Sequence, residues 1–189
     1  MQSYLELARD GKKEMWEAVQ LEMDRRKTFA EKYNISKLDY ATVDNPFDGR
    51  VICGHCGSNF GRKVWNSNNE RLRRIIWRCN KKYTVKGEKS CENKHVDDTV
   101  LYKAFVSVFN EMVENKEYFM EKWKVGLQSE NFLIRYKTKQ FIKILKNAKV
   151  LEEFDIDLFF RIIEKITVFE GEKIIVTLLD GIEIECEIE

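Results

Sequence analysis

Met15, Trp16, Val19, Met23, Ala30 and Tyr33 recur at near-helical spacing between charged residues, which predicts an amphipathic helix over about Lys12 to Tyr33. Such a helix has an apolar face that expects a partner. Asn34 to Asn45 is polar and turn-prone, and Pro46 disfavours helical geometry at the residue before it, so a linker is expected there. Beyond the proline the period shortens. GRVIC, NFGRKVW and RLRRIIWRC are short apolar and aromatic runs punctuated by Gly and Asn, with NSNN as a turn, and they predict three short β-strands between Phe47 and Cys91.

From about Asp97 the helical period returns, with Val100, Leu101, Phe105, Val108, Phe109, Met112 and Val113 on one face and Asp97 or Asp98 as N-cap. A second helix is expected over Asn131 to Lys149 and a short third between Asp155 and Glu164. The last stretch carries the clearest strand pattern: Lys165 to Phe169, a Glu170-Gly171 turn, Lys173 to Leu179, an Asp180-Gly181 turn, then Ile182 to Ile188. Asp-Gly favours a two-residue primed hairpin turn, so a three-stranded antiparallel meander is expected. Ile182, Ile184, Cys186 and Ile188 alternate with Glu183, Glu185 and Glu187, giving one buried and one acidic face. The pattern as a whole predicts an α+β fold divided at 1–45, 46–95, 96–165 and 166–189, with the closing meander packing back on the strands of the second region.

Composition narrows this picture little, but charge changes it. With 189 residues, 43% of them hydrophobic, the chain is long enough for one or two packed domains and too apolar for disorder. No apolar run approaches the roughly 18 to 20 residues of a membrane span, and MQSYLELARDGKK does not read as a secretion signal, so a cytoplasmic location without membrane association is expected. The formal net charge of +1 conceals an asymmetry: Arg50 to Lys94 holds twelve Lys or Arg against three acids, and Leu151 to Glu189 holds three against twelve. A block of +9 is the footprint a polyanion binder needs.

Inside that block lies a cysteine constellation. Cys53-Gly54-His55-Cys56 is a C-x-x-C knuckle, and Cys79 and Cys91 follow it. Four thiolates satisfy tetrahedral zinc, and the glycines of CGHCG let the backbone wrap the ion; four protein ligands leave no open position, so such a zinc is structural. Reduced core cysteines, disulfides and a redox C-x-x-C are the alternatives; the last would sit where a strand opens a helix, whereas strands are expected on both sides here. Cys186 belongs to the apolar face of the last strand, and His55 and His95 are expected to face solvent.

The residues resemble the large serine recombinases, specifically their recombinase zinc β-ribbon and its flanking segments. NPFDGRVICGHCGSNFGRK resembles that family's opening strand and knuckle, and WRCNKKYTVKGEKSCENKHVDDTVL its second cysteine pair running into a helix. EMWEAVQLEMDRRK is similar to the helix ending the preceding recombinase domain, and FDIDLFFRIIEKITVFEGEKIIVTLLDGIEIECEI to the closing helix and strands. The resemblance implies a DNA-binding C-terminal part of a site-specific recombinase acting in integration or excision of a phage or mobile element. It further implies a homo-oligomer that pairs attachment sites at the nucleoid, with the nucleophilic serine in a separate catalytic domain; none of Ser3, Ser36, Ser58, Ser67, Ser90, Ser107 or Ser129 has the family's catalytic context, so no catalytic residue is expected in this chain. The family's long coiled coil is not evident; 97–149 offers at most a short or truncated helical pair, interrupted near Gly126.

Arg62, Lys63, Arg71, Arg73, Arg74, Arg78, Lys81, Lys82, Lys86 and Lys89 lie on or beside the expected hairpin. A two-stranded ribbon fits the major groove of double-stranded DNA, where lysines and arginines neutralise phosphates and an arginine fork reads guanine. The competing reading is an ordinary solvated charged surface. Trp65 and Trp77 could stack on bases but are expected to serve as core beside a small zinc site. A zinc-ribbon protein-interaction module and a single-strand or RNA-binding ribbon are the alternative functions.

Overall fold

The computed structural model describes residues 13–35, 45–83, 90–170 and 173–187. The expected linker therefore lies largely outside the described residues. Helix α1 (Lys13–Lys32) is followed by strands β1 (Val51–Cys53), β2 (Phe60–Trp65), β3 (Arg74–Cys79) and β4 (Val96–Asp97). Helices α2 (Asp98–Glu114), α3 (Lys116–Gly126), α4 (Phe132–Lys146) and α5 (Ile156–Ile162) come next, and β5 (Ile163–Phe169), β6 (Lys173–Leu178) and β7 (Glu183–Glu187) close the chain. The α+β class is as expected, but the strands are partitioned differently. β2, β3 and β4 form one antiparallel sheet, whereas β1 leaves its sequence neighbours and joins the meander, giving the order β1-β5-β6-β7. β1 runs parallel to β5, with Val51, Ile52 and Cys53 opposite Ile166, Thr167 and Val168. β1 is the edge strand of that sheet, yet VIC is buried at all three positions, which fits its unbroken apolar run.

Helix α2 packs across both sheets. Its Leu101, Ala104, Phe105, Val108, Phe109 and Met112 are buried, as the 3.6-residue period requires. Phe47, fully buried, packs edge-on against Trp77 from the ribbon and Phe159 from α5. Asp97 occupies the N-cap position without a side-chain cap bond; its carboxylate pairs with Arg74, and Asp98 accepts from Trp77 Nε1 at 2.6 Å. Asn131 and Asp155 do cap α4 and α5, each accepting from backbone N–H groups one turn in. The expected helical pair is three helices, because the chain breaks at Asn115 before α3 begins. Gly126 ends α3 where a Cβ would stand 2.6 Å from Thr138 Oγ1, so its lack of a side chain permits close packing on α4.

The last hairpin departs from the two-residue turn. Leu178 N donates to Ile182 O and only Gly181 has positive φ (89°), so Leu179 to Gly181 form a three-residue loop. Asp180 explains the change: one carboxylate oxygen accepts from Ile182 N and the other from Trp123 Nε1 at 2.6 Å, tying the loop to α3. At the other end, α1 packs on α4 through charge as well as apolar contact. Glu22 accepts from Arg25, Arg26 and Lys137, while Arg25 also pairs with Glu164 at the start of β5. The apolar face expected on α1 is only partly covered, leaving Trp16 and Met23 exposed beside an open groove against α4.

Candidate functional site

Cys53 ends β1, Cys56 follows in the knuckle turn, Cys79 ends β3, and Cys91 precedes β4. The turn closes through Gly57 N to Cys53 O (2.9 Å) and Cys53 N to Ser58 O (2.8 Å), with Gly57 at φ 69°. All four sulfurs lie within 4.8 Å of one another. Cys53 Sγ is 3.6 Å from Cys91 Sγ, and Cys56 Sγ is 3.4 Å from Cys79 Sγ. A disulfide needs about 2.0 Å, and all four thiols are free. Four sulfurs each roughly 2.3 Å from a common zinc would stand about 3.8 Å apart. The separations and the all-thiol donor set thus suit a tetrahedral soft-metal site.

The electrostatics of the cluster point the same way. Burial opposes ionisation of Cys53, but hydrogen bonds from Asn93 and from the backbone N–H groups of Cys56 and His55 outweigh it and hold the thiol down to about 7. Burial pushes the Cys79 and Cys91 thiols up, and their neighbouring thiols add to the effect. Ionising Cys53, Cys79 and Cys91 side by side is thus unfavourable on its own, and a divalent cation between them would offset it. His55 and His95 are elsewhere: His55 Nε2 is 3.1 Å from Glu170 Oε1, and His95 stacks on Trp65 with ring centroids 5.0 Å apart. His95 is thus half-buried and not a freely solvated side chain. Cys186 is half-buried on β7, where burial pushes its thiol up to about 11.

The hairpin of β2 and β3 sorts the cations. Its register places Lys63 opposite Ile76, Trp65 opposite Arg74, and Gly61 opposite Arg78. By the two-residue alternation, Lys63, Trp65, Arg74 and Arg78 share one face, and Arg62 shares the other with Trp77. Arg62, Lys63, Arg71, Arg73, Arg74 and Lys81 are exposed. Arg78 is half-buried, its guanidinium 4.9 Å from the Tyr83 ring. Lys82, expected among the DNA-facing cations, is instead buried, and its Nζ donates to Asn93 O at 2.7 Å. Lys86 and Lys89 lie outside the described residues. Trp77 is core as expected, but Trp65, also expected there, retains 38% exposure, because it ends β2 at the far end of the ladder opposite the exposed Arg74, whereas Ile76 on the same face is buried. Asn93 escaped sequence reasoning; only its position two residues after Cys91 hinted at it.

A short antiparallel ribbon with four convergent thiols at its base defines the class of the site. Residues 46–110, about a third of the chain, match the family model for the recombinase zinc beta ribbon domain. The resemblance drawn from the cysteines and their flanks is borne out there. One solved chain, from a crystal structure of an LSR–DNA complex, is similar at 14% identity and a TM-score of 0.41. The match covers 82% of this chain and 61% of that one, so this chain spans less than two thirds of that chain's length. No curated protein gives a significant match. Among the described residues, no helix is long and apolar enough to cross a membrane.

Proposed function

We propose that this chain is the DNA-binding C-terminal part of a large serine recombinase, and that its ribbon docks on double-stranded attachment-site DNA. Cys53, Cys56, Cys79 and Cys91 hold one zinc ion, which supplies a structural cross-link, since four thiolates leave no position for water. The carrying observation is the hairpin Phe60 to Cys79 of a recombinase-type ribbon, which leaves Arg62, Lys63, Arg71, Arg73 and Arg74 on solvent. A two-stranded ribbon of that width enters the major groove, where those side chains reach phosphates and base edges. Lys82 is left out of this set, since it is buried with its Nζ on Asn93 O. Strand exchange, homo-oligomeric pairing of sites and a nucleoid location follow as properties of the parent recombinase.

The test is a gel-shift titration of the zinc-loaded chain against duplexes from the ends of its host element, with nonspecific competitor and a chelated control. Zinc-dependent, competitor-resistant binding to one end is expected, and with about five phosphates contacted the log affinity falls with log salt at a slope of about −4.5. Sequence-blind, salt-sensitive binding would reduce the reading to a general polyanion binder. Preference for unpaired oligonucleotides would favour the single-strand alternative, to which the exposed Trp65 gives some footing.

A further inference from the structure

Asn93 lies beside the cysteines, fully buried, with both amide hydrogens used across two different parts of the fold. Its Nδ2 donates to Cys53 Sγ at 3.1 Å and to Val168 O in β5 at 2.7 Å. Among the described residues its Oδ1 has no partner, an unfavourable state for a buried acceptor that an apolar side chain of similar volume would avoid. The two donations are what the amide contributes in return. Other contacts converge on the same place. Gly54 N also donates to Val168 O, at 2.8 Å, and a Cβ on Gly54 would stand 2.4 Å from the Phe169 ring. The Lys82 ammonium holds the main chain at Asn93 O.

We propose that Asn93 is a positioning residue of the metal centre: it orients the Cys53 thiolate and passes the occupancy of the centre to β5, so that metal binding clasps the C-terminal sheet to the ribbon. This rests on the reading of the four cysteines as a zinc site. An N–H donated to a metal-bound thiolate fixes its direction and tempers its electron donation, as outer hydrogen bonds do for metal ligands generally. Because Val168 O receives the other hydrogen of the same planar amide, a shift of the sulfur on metal loss pulls on the β1–β5 pairing.

The experiment loads the full chain with cobalt(II) and compares wild type, Asn93→Asp and Asn93→Ala. Three quantities are read: the thiolate-to-cobalt charge-transfer band, the metal affinity against a competing chelator, and amide hydrogen exchange over 163–169. Asn93→Asp keeps the shape but removes the N–H donor. Both variants are expected to bind metal about 10- to 100-fold more weakly, to move the band to lower energy, and to exchange faster over 163–169 with the metal bound. A wild type without a four-thiolate cobalt spectrum would overturn the metal reading itself. A wild type with that spectrum, beside variants unchanged in band energy and affinity, would overturn the role of Asn93 alone. Should the variants not fold, the wild type decides the coupling: chelation is expected to speed exchange at 166–168, and unchanged protection there while 53–57 opens would overturn it.

Discussion

Trp77 is fully buried against Phe47 and donates its indole N–H to Asp98, whereas Trp65, across the ladder, keeps one side of its ring toward solvent beside His95. Trp77→Ala is expected to cost about 3–5 kcal/mol by the loss of a large buried ring, read by urea unfolding of the metal-loaded chain. Trp65→Ala is expected to move stability by less than about 1 kcal/mol while weakening binding to DNA. The cations separate in the same way. Lys63→Gln should flatten the log affinity against log salt slope by about 0.9, and Lys82→Gln should leave the slope unchanged, because its Nζ is committed to Asn93 O. An equal slope loss for both would mean that Lys82 reaches phosphate. The four cysteines that meet in space were grouped from the sequence, but only C-x-x-C has a specific spacing; Cys79 and Cys91 joined it because an all-thiol set of four suits zinc. Lys82 and Asn93 were not, because a lysine or an asparagine carries no sign of burial until its neighbours in space are known.

At the scale of elements, α1 is held by a charge cluster centred on Glu22. Burial disfavours its carboxylate, yet hydrogen bonds from Arg25 and Lys137 outweigh that and hold the group far below its ordinary 4.5. A depressed folded pKa stabilises above the unfolded value and is lost as pH falls through the folded one. Docking of α1 is therefore expected to be constant above about pH 5 and to weaken progressively below 4.5. Amide exchange over 13–32 measured from pH 7 to pH 3, corrected for intrinsic rates, checks this, and Glu22→Gln should loosen the helix at neutral pH and blunt the acid response. Protection that stays flat across the series in wild type would mean that apolar contact alone holds α1. Helices α1, α2, α4 and α5 and the strands of the closing meander were readable from period, whereas the break at Asn115 that sets α3 apart was not. The partition of strands was not: β4 is two residues long, and nothing in VIC tells a ribbon edge from a parallel partner of β5. Asp180-Gly181 likewise favours a primed turn locally, and only the distant Trp123 indole selects the longer loop.

For the molecule as a whole, the recombinase-type ribbon at 46–110 is not a closed folding unit, since β1 completes its hydrogen bonding on β5 and Arg50 donates to Ile163 O. Burial of that guanidinium lowers Arg50 to about 10, against the ring faces of Phe159 and Phe160. A fragment of residues 46–110 with zinc is expected to lack the cooperative thermal transition of the full chain; an equally sharp transition in the fragment would show that the C-terminal sheet is dispensable. The bipolar charge is also partly answered within the fold, because Glu183 and Glu185 of β7 meet Lys165 and Lys173. The acidic end thus spends part of its charge on its own sheet. The β1–β5 pairing carries a consequence in time. Val51 and Ile166 are 115 positions apart (166 − 51), so at about 5–20 residues per second of synthesis the knuckle waits about 6 to 23 s at the ribosome before its partner strand exists. During that interval the nascent chain presents β1 as an open strand edge whose partner has yet to be made.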